Sequence, residues 1–79
     1  MIGKQELEGL VKAVFPDAQI EARDLTGGRD HYELVVISSS FEGRSLVERH
    51  RLVYAPLAEV LKGPLHALTL KTYTPAERR

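Results

Sequence analysis

"LHALTLKTYT", residues 65–74, reads as a β-strand whose two rows of side chains differ in character. Successive strand residues point to opposite faces, so His66, Leu68, Leu70 and Thr72 form one row and Ala67, Thr69, Lys71 and Tyr73 the other. An apolar row headed by an imidazole implies a strand covered on one face, with a titratable, metal-competent ring at its starting edge. The fold follows from what precedes this strand.

Immediately before it, Leu46, His50, Val53, Leu57 and Leu61 fall at helical spacing and predict a long helix with an inward stripe. Ser45 and Glu48 stand three residues apart and form a capping box for its first turn. Pro56 removes one hydrogen bond inside that helix, which predicts a kink or a restart there, and "KGP" at 62–64 ends it. Further upstream, Leu7, Leu10, Val11 and Val14 mark a first helix from about Gly3 to Phe15, stopped by Pro16. "AQIEARD", residues 18–24, alternates like a half-buried strand, and "HYELVVIS", residues 31–38, is rich in β-branched and aromatic residues. The glycines of "TGGRD" join these two strands as a hairpin, "SSFEG" is a loop, and the polar tail "PAERR" is expected to fray. The order α-β-β-α-β fills residues 1–79 as a single α+β domain with a three-stranded mixed sheet packed by helices.

A chain of 79 residues without cysteine builds one small core and supplies no thiolate ligand, so any metal takes histidine, carboxylate or a partner's donors. No signal peptide or long apolar run is visible, which predicts a cytoplasmic protein with no membrane association. The formal net charge is zero, against the excess of cations that phosphate neutralisation demands. Its distribution is uneven. Residues 1–40 carry four basic and seven acidic side chains (4 − 7 = −3), whereas residues 41–79 carry seven basic and four acidic (7 − 4 = +3). That dipolar pattern suits a protein partner.

A strand-helix-strand connection within one sheet is right-handed and makes the two strands parallel. Parallel strands begin at the same end, so His31, first in the second strand, and His66, near the start of the third, are expected at one edge of the sheet beside the "TGGRD" loop. Neighbouring strands run about 5 Å apart, within reach of a shared metal. Two imidazoles supply half of a tetrahedral set, to which Asp24 or Asp30 could add; the competing explanation is a pair of hydrogen-bonded rim residues. His50 faces inward and is expected to bond backbone or a carboxylate through one ring nitrogen. Arg44, Arg49, Arg51 and Lys62 are expected to point outward, as a solvated face or a docking surface for an acidic group. No phosphate-binding glycine loop, nucleophile elbow or carboxylate pair is present, which argues against an enzyme.

"FEGRSLVERHRLVYAPLAEVL" at 41–61, followed by "LHALTLKTYTPAE" at 65–77, closely resembles the BolA-like proteins, and "DHYELVVIS" at 30–38 resembles their second strand. The resemblance implies a fold related to class II KH domains and a role as partner of monothiol, CGFS-type glutaredoxins. It also implies a shared two-iron two-sulfur cluster. The glutaredoxin contributes its cysteine and a glutathione thiolate, and the BolA-like chain contributes the histidine at position 66 and the one at position 31. No cluster is expected to stay on the isolated chain. Arg49, His50 and Arg51 of the helix motif and Lys71 of the strand motif are the partner-binding candidates. The loop before His31 is shorter than in some members, and the tail ends in Arg78 and Arg79 where many relatives carry an aromatic residue. The alternative expectation is a nucleic-acid-binding regulator of transcription or morphology, against which stands the lack of a GXXG loop joining helices.

Overall fold

The computed structural model describes residues 3–28, 31–62 and 67–78. In chain order it comprises helix α1 (Lys4–Val14), strands β1 (Gln19–Asp24) and β2 (His31–Ile37), a short 3-10 turn at Ser39–Phe41, helix α2 (Leu46–Lys62) and strand β3 (Ala67–Tyr73). The strands form one sheet in the order β1-β2-β3, with β1 antiparallel and β3 parallel to β2. The α+β class, the mixed sheet and the strand adjacency expected from the crossover rule are all present. Leu65 and His66, expected in the last strand, lie outside the described residues, as do Arg29, Asp30, Gly63 and Pro64.

Alternation sorts the sheet into two faces. Tyr32, Leu34 and Val36 are buried, and their register partners Leu68, Leu70 and Thr72 on β3 and Ala22 and Ile20 on β1 share that face. They meet Leu7 and Val11 of α1 and Val53 and Leu57 of α2, all four fully buried, to form the core. On the outer face Val35 is buried as well, in register between Glu21 and Lys71 on the two neighbouring strands.

Two positions depart from the helical stripes. Val14 is half exposed, and Phe15, the residue after α1, is buried instead. The backbone leaves helical geometry at Phe15, and its ring packs at 5.3 Å from that of Phe41. Leu46 is 61% exposed, so the inward stripe of α2 starts only after its first turn. The capping box is made: the Ser45 amide donates to Glu48 Oε1 at 2.9 Å, and the Glu48 amide donates to Ser45 Oγ at 3.2 Å. The helix runs through Pro56 as one element, so the expected restart does not occur. Val53 and Leu57 on either side of the proline are fully buried, and that packing holds the segment helical despite one missing bond.

The segment after β2 has more structure than a loop. Asp17 accepts from Ser38 Oγ at 3.0 Å, the Ser39 amide at 3.0 Å and Ser39 Oγ at 2.9 Å. Those bonds hold its carboxyl below the ordinary value of 3.8, chiefly the Ser39 hydroxyl. The tail is also ordered through Arg78. Thr74 and Glu77 form a second capping box, with the Thr74 amide donating to Glu77 Oε1 at 2.8 Å and the Glu77 amide to Thr74 Oγ1 at 3.2 Å. The Arg78 guanidinium lies 5.1 Å over the Tyr73 ring. The expectation of a frayed tail is therefore corrected over residues 75–78.

Phe41→Ala is expected to lower stability by about 3–5 kcal/mol in urea denaturation, whereas Val14→Ala should stay within about 0.5 kcal/mol of the parent. Equal midpoints for the two variants would contradict the core assigned here.

Candidate functional site

The end of the sheet where β2 and β3 begin is the first candidate. His31 opens β2 and is half buried, and its register partner on the parallel strand is Ala67, the residue that follows His66 in sequence. His66 itself lies outside the described residues. His31 belongs to the outer row with Glu33 and Val35, whereas the alternation of the sequence assigns His66 to the row of Leu68 and Leu70. The start of the turn after β1 is hydrogen-bonded. The Leu25 amide donates to the His31 carbonyl at 2.9 Å, and Gly27 adopts φ = 81°, which its lack of a Cβ permits. Asp24 Oδ1 accepts from the amides of Thr26 at 3.2 Å and Gly27 at 2.9 Å, so this carboxylate caps the turn. Among the described residues no group of three or more histidine, cysteine, aspartate or glutamate side chains converges on a metal-sized site.

The basic helix is the second candidate. Arg49 does not point outward: its guanidinium binds both oxygens of Glu77, at 2.7 and 3.3 Å, and its Nε donates to the Arg44 carbonyl at 3.0 Å. Its side chain is only 13% exposed. Arg49 thus ties α2 to the C-terminal turn, which corrects its assignment to a solvated face. Glu77 feels this directly, since the Arg49 guanidinium and the Thr74 amide hold its carboxyl below the ordinary value of 4.5. Arg51 is exposed and Arg44 is exposed with its Nε bonded to the Ser40 carbonyl, so these two do face solvent. Lys71 lies on the outer sheet face, 4.0 Å from Glu33. His50 is half buried, as expected, and its Nε2 is buried without a hydrogen-bond partner among the described residues. The ring instead meets Tyr54 edge-on, with centroids 6.3 Å apart.

Sequence reasoning missed the Thr74–Glu77 box, whose signal was present in "TPAE", a threonine followed three residues later by glutamate with proline between them. It also missed the pairing of Arg49 with Glu77, for which a separation of 28 residues leaves no local signal.

The model of the family described as BolA-like protein matches residues 5–77. The chain belongs to the BolA-like family. It is 44% identical over 77 residues to human BolA-like protein 1, covering 89% of this chain and 56% of that protein, so it spans about half of that relative's length. It is 33% identical over 81 residues to the DNA-binding transcriptional regulator BolA of Escherichia coli, covering 94% of this chain and 77% of that one. Among solved structures, the BolA domain of SufE1 from Arabidopsis thaliana superimposes with a TM-score of 0.83 at 33% identity, over 98% of this chain and 99% of that domain. The fold of this BolA-like chain is thus that of its family across nearly its whole length.

The Glu77 pairing predicts a sign for the acid limb of stability. A carboxyl whose folded pKa is depressed stabilises the fold above its unfolded value, and that contribution is lost as pH falls through the lower folded value. Thermal melts between pH 7 and pH 2 should therefore decline less steeply for Glu77→Gln than for the parent below the ordinary value of 4.5. Parallel curves for the two proteins would remove the paired-carboxylate account.

Proposed function

We propose that this chain is a non-enzymatic partner of monothiol, CGFS-type glutaredoxins and shares a two-iron two-sulfur cluster with them through His31 and His66, in cluster assembly, trafficking or iron sensing. Membership of the BolA-like family supports the class of role. The observation that carries the site is the parallel register, in which His31 stands opposite Ala67, the neighbour of His66 in the chain. With strands about 5 Å apart, two imidazoles from these positions are within reach of one centre.

The donor chemistry fits an incomplete set. The chain holds three histidines and no cysteine, so its nitrogen ligands leave the sulfur positions to a partner's thiolate and to glutathione. A centre shared by positions 31 and 66 lies at the end of the sheet where β2 and β3 begin, where a second protein has access. Histidine ligation raises a cluster's potential and makes it sensitive to protonation, which suits transfer or sensing. The His31 carbonyl accepts from the Leu25 amide, which ties the start of β2 to the end of β1. Arg51, Lys71 and His50 are the partner-facing residues on this reading; Arg49 supports them by holding the C-terminal turn. No helix among the described residues is long and apolar enough to cross a membrane; a cytoplasmic setting is part of the proposal.

A second reading comes from the Escherichia coli relative, which is named as a DNA-binding transcriptional regulator. Zero net charge and the engagement of Arg49 by Glu77 weigh against it here. A DNA titration in rising salt discriminates, since a site neutralising several phosphates loses affinity steeply.

Anaerobic reconstitution with a CGFS glutaredoxin and glutathione, followed by visible circular dichroism, tests the first reading. His66→Ala is expected to abolish the heterocomplex spectrum and His31→Ala to weaken or alter it. An unchanged spectrum for His66→Ala defeats the shared-cluster reading, and partner binding that survives loss of both histidines would leave an adaptor that never touches metal.

A further inference from the structure

The strand order leaves the far edge of β3 without a partner strand among the described residues. The Tyr73 carbonyl accepts from the Ser38 amide at 3.0 Å, so the backbone groups of Tyr73 turn toward β2. Alternation then turns the amide and carbonyl of Leu70 and Thr72 toward the open edge. Beside that edge runs an open groove of about 250 Å³, lined by Leu46 and His50 of α2 and by Leu70, Lys71, Thr72 and Tyr73. Consecutive strand residues point to opposite faces, so a groove that touches four in a row follows the strand's edge and neither face alone.

Two buried polar atoms of the residues lining this groove have no hydrogen-bond partner among the described residues. Thr72 is 6% exposed, and its Oγ1 is buried without a hydrogen bond. His50 Nε2 is in the same condition. Native structures rarely leave such groups unpaired, and each needs an explanation. At the mouth of the groove Leu46 is 61% exposed and Val47, next to it on α2, is 60% exposed, an apolar surface that gains by being covered.

We propose that the free edge of β3 accepts an extended segment of a partner protein as a fourth strand. An aspartate or glutamate of that segment accepts hydrogen bonds from Thr72 and His50, and an apolar residue beside it covers Leu46. A carboxylate only accepts, so it takes one bond from the hydroxyl and another from an imidazole N–H. It also complements Lys71, the cationic side chain that lines the groove. Main-chain pairing along the edge supplies affinity, and the two side-chain contacts supply selectivity. Nucleic acid is the poorer occupant: Leu46, Leu70 and Tyr73 make the walls largely apolar, and Arg49 of α2 is committed to Glu77. The inference does not rest on the shared-cluster reading.

A phage-displayed library of extended heptapeptides, selected on the full chain and resynthesised, supplies the probe, and backbone amide NMR shifts report the site. Enriched peptides should carry an acidic residue and perturb amides at Leu70–Tyr73 and Leu46–His50. Methylating the edge-facing amides of the peptide should abolish binding. Thr72→Val is expected to weaken affinity about tenfold while leaving the melting temperature unchanged or higher, since it deletes an unpaired hydroxyl without changing shape. A chain carrying both His31→Ala and His66→Ala should bind peptide normally, which separates this site from the cluster ligands. The proposal is overturned by failure to enrich any peptide, by shifts elsewhere, or by undiminished binding to Thr72→Val. It is equally overturned if sedimentation shows the edge occupied by a second copy of the chain, or if a single-stranded oligonucleotide displaces the peptides at lower concentration.

Discussion

The parallel pairing of β2 with β3 is the constraint on which the molecule depends. It joins residues about 36 apart in sequence, His31 through Ile37 with Ala67 through Tyr73, and so requires the α2 crossover to lie over the sheet. Once that pairing is set, one face of the sheet is committed to the helices. Leu34 and Val36 then meet Val53 and Leu57, and the core closes around them. The same pairing fixes which residues share an end of the sheet, and so where ligands could meet.

Around that frame, polar side chains lock the connections. Asp17 gathers the backbone and hydroxyls after β2, Asp24 caps the hairpin, and the Thr74–Glu77 box with Arg49 fastens the C-terminal turn to α2. Each case spends a charged side chain on orphan amides or on an opposite charge within 3.3 Å. A small core gains from such clamps because its apolar burial is limited. The consequence for function is subtraction: Arg49 and Asp24 are largely committed to the fold, and the surface left for partners is narrower than the charge pattern of the sequence suggests.

What remains uncommitted is concentrated on β3 and the first turns of α2. Leu46 and Val47 are exposed, and the buried Thr72 hydroxyl and His50 Nε2 have no hydrogen-bond partner among the described residues. A sheet of three strands has two edges, and here one of them borders this incompletely satisfied groove. The strand that opens the candidate cluster site and the strand that lines the groove are thus the same element, approached from its end in one case and along its side in the other.

The sequence by itself determined the element order, the capping box at Ser45 and Glu48, the covered row Leu68, Leu70 and Thr72, and the adjacency of the parallel strands. It could do so because period, caps and crossover handedness are local or nearly local rules. The BolA-like resemblance was legible in the "RHRLVY" and "KTYTP" segments. Only the tertiary structure decided that Val14 and Leu46 stay exposed while Phe15 is buried, that α2 passes through Pro56, that Arg49 is spent on Glu77, and that Thr72 Oγ1 and His50 Nε2 go without a hydrogen bond among the described residues. Those outcomes turn on which surface each side chain finds across the fold, and a chain that brings positions 49 and 77 together does so through packing that no local pattern encodes.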